Sequence, residues 1–234
     1  MTRVKSCGIT NLDDARMAAD LGAWAVGLIL WPGSKRACAP EAAEEIGAVL
    51  HRRCEIAGVF VNAPLDELTL AADRFNLTML QLHGDEGPVY CREAARRTGA
   101  KVMKAIRVKD AASVRDLDAY AVDLHLLDAY VPGTRGGTGE TFAWDLTRHH
   151  RGSVPVVLSG GLTADNVGEA IAAVHPYAVD SASGTEASPG RKDPARMDAF
   201  FRAVAVADGR DPDAAESELP SAVAQHADAD AAQA

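Results

Sequence analysis

This 234-residue sequence lacks most of the features that would tie it to a membrane, a nucleic acid or a metal. No run of about 18 or more apolar residues occurs, which excludes a spanning helix. The opening MTRVKSCGIT has no apolar signal stretch, so the cytoplasm is the expected compartment. Cysteines are few: Cys7, Cys38, Cys54 and Cys91. None forms a CxxC pair or a zinc spacing, and without a secretory signal a disulfide framework is not expected. Each therefore reads first as a small buried hydrophobe. Basic residues are in deficit, with 24 Lys and Arg against 33 Asp and Glu and a formal net charge of −9. That balance argues against nucleic acid and anionic membrane as partners. A dinucleotide fingerprint is missing as well, since only C-G-I-T follows the first β-rich run. No repeat of 20–50 residues is visible.

What the chain does have is a strict alternation of short β-rich runs and longer amphipathic runs. The strands are expected at about Arg3–Cys7, Ala25–Leu30, Glu55–Val61, Thr78–His83, Lys101–Val108, Leu124–Asp128, Pro155–Gly160 and Tyr177–Ser183. Between and after them the expected helices start near Leu12, Pro40, Leu65, Pro88, Ala111, Trp144, Ala164 and Pro194. Asn11 is a plausible N-cap, and Pro40 sits at a favourable first-turn position. Such alternation calls for parallel strands joined by helical crossovers. Eight units in about 205 residues fit a closed (β/α)8 TIM barrel better than an open doubly wound sheet.

The barrel is expected to occupy 1–206 as a single domain. Residues 207–234 hold seven acids against one base, Arg210, and almost no large apolar side chain. Such a segment cannot offset its ordering entropy by burial, so a disordered acidic tail is expected there.

In barrels of this kind the active site lies at the C-terminal ends of the strands. Polar groups gather at those ends here: Cys7-Gly8, Arg36, Gln81 to Asp85, Asp128, Ser159 to Gly161, and Asp180 to Gly184. The two glycine-bearing turns after strands 7 and 8 suit phosphate, because glycine lets backbone N–H groups approach an anion closely. Gly160, Gly161, Ser183 and Gly184 are the candidates, with simple turn glycines as the alternative. Arg36 could read a carboxylate or phosphate with its guanidinium fork, or could be a solvated surface residue. Gln81 and His83 face inward by alternation; they line the site or satisfy each other. His149 and His150 are expected in solvent.

Taken together, VKSCGIT, GLILWPGSKR, GVFVN, LQLHGDE, LLDAY, GGTGETFAW, LSGGL with ADNV, and AVDSASG with E-x-x-PG-x-KD resemble the phosphoribosylanthranilate isomerase family. The matches run in family order from Lys5 to Asp193. The resemblance implies a (β/α)8 enzyme of tryptophan biosynthesis that needs no cofactor or metal. The implied reaction is the Amadori rearrangement of N-(5-phosphoribosyl)anthranilate to 1-(2-carboxyphenylamino)-1-deoxyribulose 5-phosphate. It implies Cys7 as general base and Asp128 as general acid. Arg36 would hold the substrate carboxylate, Asp180 would lie near the anthranilate, and the last two loops would hold the phosphate. The implied partner is thus a small phosphosugar, with a monomer expected and a homodimer as the alternative. Departures from the family pattern are Ser6 beside the base, Glu140 in the GGTG-x loop, Thr185 after Ser183-Gly184, and the acidic extension.

Two other readings compete. A histidine-pathway aldose–ketose isomerase is a related barrel, but it uses an aspartate where this chain has Cys7. A non-catalytic phosphosugar-binding barrel would lose the acid or the base, and this chain keeps both.

Each proposed group faces a titration problem. A free thiol near 8.5 is mostly protonated at neutral pH. Lys5 shares the inner face of its strand with Cys7, so its ammonium is expected to favour thiolate. Asp128, ordinarily near ~3.9, must hold a proton to act as an acid. Asp180 is the expected neighbouring carboxylate.

Overall fold

The structure is a computed structural model, and it describes residues 1–128 and 144–212. Eight strands form a closed barrel in sequence order, each parallel to its neighbours. They are β1 (Arg3–Cys7), β2 (Ala25–Ile29), β3 (Glu55–Phe60), β4 (Met79–Leu82), β5 (Lys101–Arg107), β6 (Leu124–Asp128), β7 (Val156–Ser159) and β8 (Ala178–Ser181). Outside them run α1 (Leu12–Asp20), α2 (Pro40–Leu50), α3 (Leu65–Arg74), α4 (Pro88–Thr98), α5 (Ala111–Arg115), α6 (Val167–Val174) and α7 (Pro194–Ala207). A helical turn at 144–146 continues into a 3-10 turn, Thr147–His149. A small antiparallel hairpin, β9 (Glu186–Ser188) with β10 (Arg191–Lys192), follows β8.

The period-2 alternation sorts each strand into two cores. Inward residues Ala57, Met79, Met103, Ala105, Leu124, Leu126, Val157 and Ala178 fill the barrel. Outward residues such as Val26, Leu28, Ile56, Leu80 and Leu82 pack under the helices. The interior is thus a packed core up to the C-terminal rim, where polar side chains take over.

Helix boundaries follow local side-chain chemistry. Asn11 caps α1 by accepting from the Asp14 N–H at 2.9 Å, as expected. The helix expected over Ala111–Tyr120 ends at Arg115 and tightens into a 3-10 turn, Asp116–Ala119. Two aspartates, weak helix formers, lie in that turn, while Leu117 keeps its anchorage in the core. The helix expected from Ala164 starts at Val167, because the Asn166 carboxamide accepts from the Thr163 N–H and holds the preceding residues in a turn.

The last helix runs through Ala207, one residue past the expected domain limit. Asp208 then accepts from the Thr2 N–H at 2.6 Å and the Thr2 hydroxyl at 2.8 Å, joining the two ends of the barrel. The expected acidic tail, from Asp213 on, lies outside the described residues, as does the loop carrying Glu140. Among the described residues no helix is long and apolar enough to cross a membrane.

Candidate active site

The C-terminal rim brings together Cys7, His83, Asp128, Gly160, Gly161, Ser183 and Gly184 at or just beyond their strand ends, Gln81 and Asp180 one residue before theirs, and Arg36 from the loop after β2. Three clusters can be built up from them.

The first is set by sheet register. Lys5 on β1 stands opposite Asp180 on β8, and Cys7 stands opposite Gly27 on β2. Lys5 is fully buried, and its Nζ donates to Asp180 Oδ1 at 2.9 Å. The Ser159 hydroxyl donates to the other Asp180 oxygen at 3.2 Å. Gly27 leaves the space that the two inward side chains need. A Cβ there would stand 2.7 Å from Cys7 Sγ and 2.9 Å from Lys5 Nζ.

The titration of this cluster corrects a simple expectation. Burial alone would lower Lys5, but Asp180 and then Cys7 outweigh it and hold the ammonium above its ordinary value. Burial pushes the Cys7 thiol up, and the opposing pull of Lys5 only partly offsets this. Lys5 therefore favours thiolate as expected, yet the net direction for Cys7 is upward, because burial outweighs that pull and the Asp180 carboxylate adds to the upward shift.

The second cluster sits across the barrel. Asp128 ends β6, and His83 Nε2 lies 3.7 Å from its Oδ2. Gln81, buried below, places its Nε2 3.4 Å from His83 Nδ1, while its Oε1 has no hydrogen-bond partner among the described residues. Burial lowers His83, and the Asp128 and Asp180 carboxylates oppose that shift. The carboxylate neighbour expected for Asp128 is thus otherwise engaged: Asp180 is committed to Lys5 and Ser159, while a histidine, His83, approaches Asp128.

The third cluster is the pair of glycine turns. Gly160 and Gly161 have φ of 101° and 67°, a region favouring glycine. A Cβ on Gly184 would fall 1.9 Å from the Leu162 carbonyl oxygen, so the two turns touch at backbone level. The Ser181 hydroxyl donates to that same carbonyl at 2.8 Å. In the 3-10 turn Ser183–Thr185, Thr185 N–H bonds back to Ala182 O, so the Ser183 and Gly184 N–H groups precede the first bonded donor.

Arg36 is not a free surface residue. Its Nε and Nη2 grip the Glu186 carboxylate at 2.8–2.9 Å, and this hydrogen-bonded pairing raises its pKa further. Its Cδ packs on Gly8, where a Cβ would come within 2.9 Å. Glu186, Lys192 and Gly27 were not singled out from the sequence; the E-x-x-PG-x-KD pattern holds the first two but does not say what they touch. His150 is also not simply solvated, since its Nε2 lies 2.8 Å from His125 Nδ1 at the opposite end of β6.

Comparison with known proteins identifies the family. Residues 4–203 match the family model described as N-(5'phosphoribosyl)anthranilate (PRA) isomerase. The N-(5'-phosphoribosyl)anthranilate isomerase of Moorella thermoacetica is 50% identical over 210 residues, 89% of this chain and 92% of that one. That of Citrifermentans bemidjiense is 49% identical over 197 residues, 84% and 94% of the two chains. Among solved structures, phosphoribosyl anthranilate isomerase from Thermotoga maritima superposes with a TM-score of 0.77 at 39% identity, covering 89% of this chain and 100% of that one. Another isomerase structure, in complex with reduced 1-(o-carboxyphenylamino)-1-deoxyribulose 5-phosphate, gives 0.75 at 36% identity over 89% of this chain and 100% of that one. The chain is an enzyme belonging to the N-(5'-phosphoribosyl)anthranilate isomerase family.

Proposed function

We propose that this enzyme carries out the Amadori rearrangement of N-(5-phosphoribosyl)anthranilate, a step of tryptophan biosynthesis, with Cys7 as general base and Asp128 as general acid. The observation that carries these roles is their placement: two inward groups of different basicity end β1 and β6, on opposite sides of one barrel mouth. Asp128 delivers a proton to the furanose ring oxygen as the C1–O bond breaks, leaving a protonated imine at C1. That cation acidifies the C2 proton, so a small thiolate fraction at Cys7 suffices to remove it. The resulting enol then becomes the ketone, as its C2 hydroxyl loses a proton and C1 gains one.

The phosphate fits the N–H groups of Gly160, Gly161, Ser183 and Gly184. Arg36 suits the anthranilate carboxylate, which would approach from the Nη1 side, because Glu186 takes the Nε–Nη2 edge. Asp180, beside the base, bounds the anthranilate side. Gln81 Oε1, buried and without a hydrogen-bond partner among the described residues, suits a substrate N–H or hydroxyl. His83 borders the acid.

The partner in this reading is a small phosphosugar in the cytoplasm, and no cofactor takes part. We take the working form as a monomer; a Thermotoga maritima relative is described as dimeric, with monomeric forms generated from it. The test is growth of a tryptophan auxotroph lacking the isomerase. Wild type should rescue growth, and Cys7→Ser and Asp128→Asn should not. Rescue by both variants would overturn the site assignment.

A further inference from the structure

Lys192 lies on β10, outside the barrel proper, yet its side chain is fully buried at the rim. Its Nζ donates to three oxygens: the Cys7 carbonyl at 2.7 Å, the Ala182 carbonyl at 3.0 Å and the Thr185 hydroxyl at 3.0 Å. The first belongs to the residue read as the base. The other two belong to the turn that carries Ser183 and Gly184, read as the phosphate loop. Glu186 stands 3.9 Å from the same ammonium and grips Arg36.

The hairpin that carries Lys192 is clamped to the turn after β1. Thr10 Oγ1 donates to the Gly190 carbonyl at 2.5 Å, and the Lys192 N–H donates to Asp14 Oδ2 at 2.9 Å. One buried cation thereby touches the backbone of two substrate-handling turns and faces the carboxylate that orients a third group.

We propose that Lys192 is a positioning residue for the isomerisation, fixing the distance between the Cys7 base and the phosphate turn and, through Glu186, the placement of Arg36. The inference rests on the roles given above to Cys7, Arg36 and the glycine turns. Its physical basis is the length of the substrate. A phosphate held at one end and a carboxylate at the other leave the C2 proton where the protein puts it, and a misplacement of about 1 Å can lower the rate roughly 100-fold. Carbonyl oxygens on a shared ammonium form charge-assisted bonds, stronger than neutral ones and suited to holding two loops in register. The charge has a second effect. Lys192 adds to the pull of Lys5 on the thiol, against burial and Asp180.

The test uses the purified full chain with Lys192→Met, checked for folding by circular dichroism. The expected result is a kcat/KM lower by about 100-fold with KM raised as well as kcat lowered. The pH profile of iodoacetamide labelling at Cys7, read by peptide mass spectrometry, should move to higher pH. A purely structural lysine would lower the melting temperature while leaving KM and the labelling profile of the folded protein alone, and that result would overturn the proposal. If Lys192→Met does not fold, Thr185→Val removes one of the three oxygens and keeps the charge. It should then raise KM several-fold, and an unchanged KM would count against the proposal. Cys7→Ser run alongside separates the two levels. Full activity in Cys7→Ser defeats the reading of the site, whereas a dead Cys7→Ser beside a wild-type-like Lys192→Met defeats this inference alone.

Discussion

The base side and the acid side of this barrel mouth are built differently. Around Cys7 the charges are buried and interlocked. Lys5 and Asp180 are paired at 2.9 Å, Lys192 binds the Cys7 carbonyl, and Arg36 and Glu186 share a forked ion pair. On the acid side the approach of His83 to Asp128 is longer. His83 and Asp128 side chains are 26% and 21% exposed and approach only to 3.7 Å. The difference teaches where precision is needed before substrate arrives. A thiol that must take a proton from carbon benefits from a fixed position and fixed neighbouring charges. A carboxyl group that meets a ring oxygen can complete its geometry with the substrate in place, since catalytic hydrogen bonds often tighten only in the complex.

Substitutions can break or sharpen this contrast. The largest effect on activity is expected from Asp128→Asn on the acid side. It should lower kcat by about 10²–10⁴-fold, measured with freshly made substrate. The largest effect on stability is expected from Asp180→Asn on the base side. Removing one partner of a buried pair leaves an uncompensated ammonium and costs about 3–5 kcal/mol, which denaturant unfolding would measure. Replacing both partners, as Lys5→Met with Asp180→Leu, should recover much of that stability without restoring activity. If Asp180→Asn unfolds no more readily than Asp128→Asn, the two sides do not differ as described.

Gly27→Ala tests the space around the base. The new Cβ would press on both Cys7 Sγ and Lys5 Nζ, so kcat should drop by about 100-fold at most. Gly22→Ala is the contrasting case: its φ is positive, unlike that of Gly27, but nothing lies within 4 Å of its Cβ position, so it disturbs the backbone without crowding the base.

The smallest effect concerns pH. Burial lowers the pKa values of His83, His125 and His150 below the ordinary histidine value of about 6.5. Between those lowered values and about 6.5 the unfolded chain binds more protons than the folded one. Stability from these groups is therefore present above about pH 6.5 and is lost as pH falls through their folded values. The melting temperature should decrease on acidification through that window, and His125→Asn should flatten the slope.

Much of the frame was legible in the sequence because its causes are local. Apolar alternation and the capping residues of α1 announce strands and helices within a few positions, and parity alone put Lys5 and Cys7, or Gln81 and His83, on one inner face. Pairings between distant strand ends were not legible. Arg36 meets Glu186 across 150 positions, and Lys192 meets the Cys7 carbonyl across 185. These contacts arise from barrel closure and register, which no local pattern records. The same cause explains the partner of Asp180. The β1–β8 register places it opposite Lys5, so it could not be assigned to Asp128 or Lys5 until the barrel was closed.

The role of Cys7 as base is decided by single-turnover kinetics of purified, folded Cys7→Ser with saturating enzyme over freshly generated N-(5-phosphoribosyl)anthranilate. The chemical step should be slowed by at least about 100-fold, with unchanged affinity for a reduced product analogue. A single-turnover rate equal to wild type would contradict it.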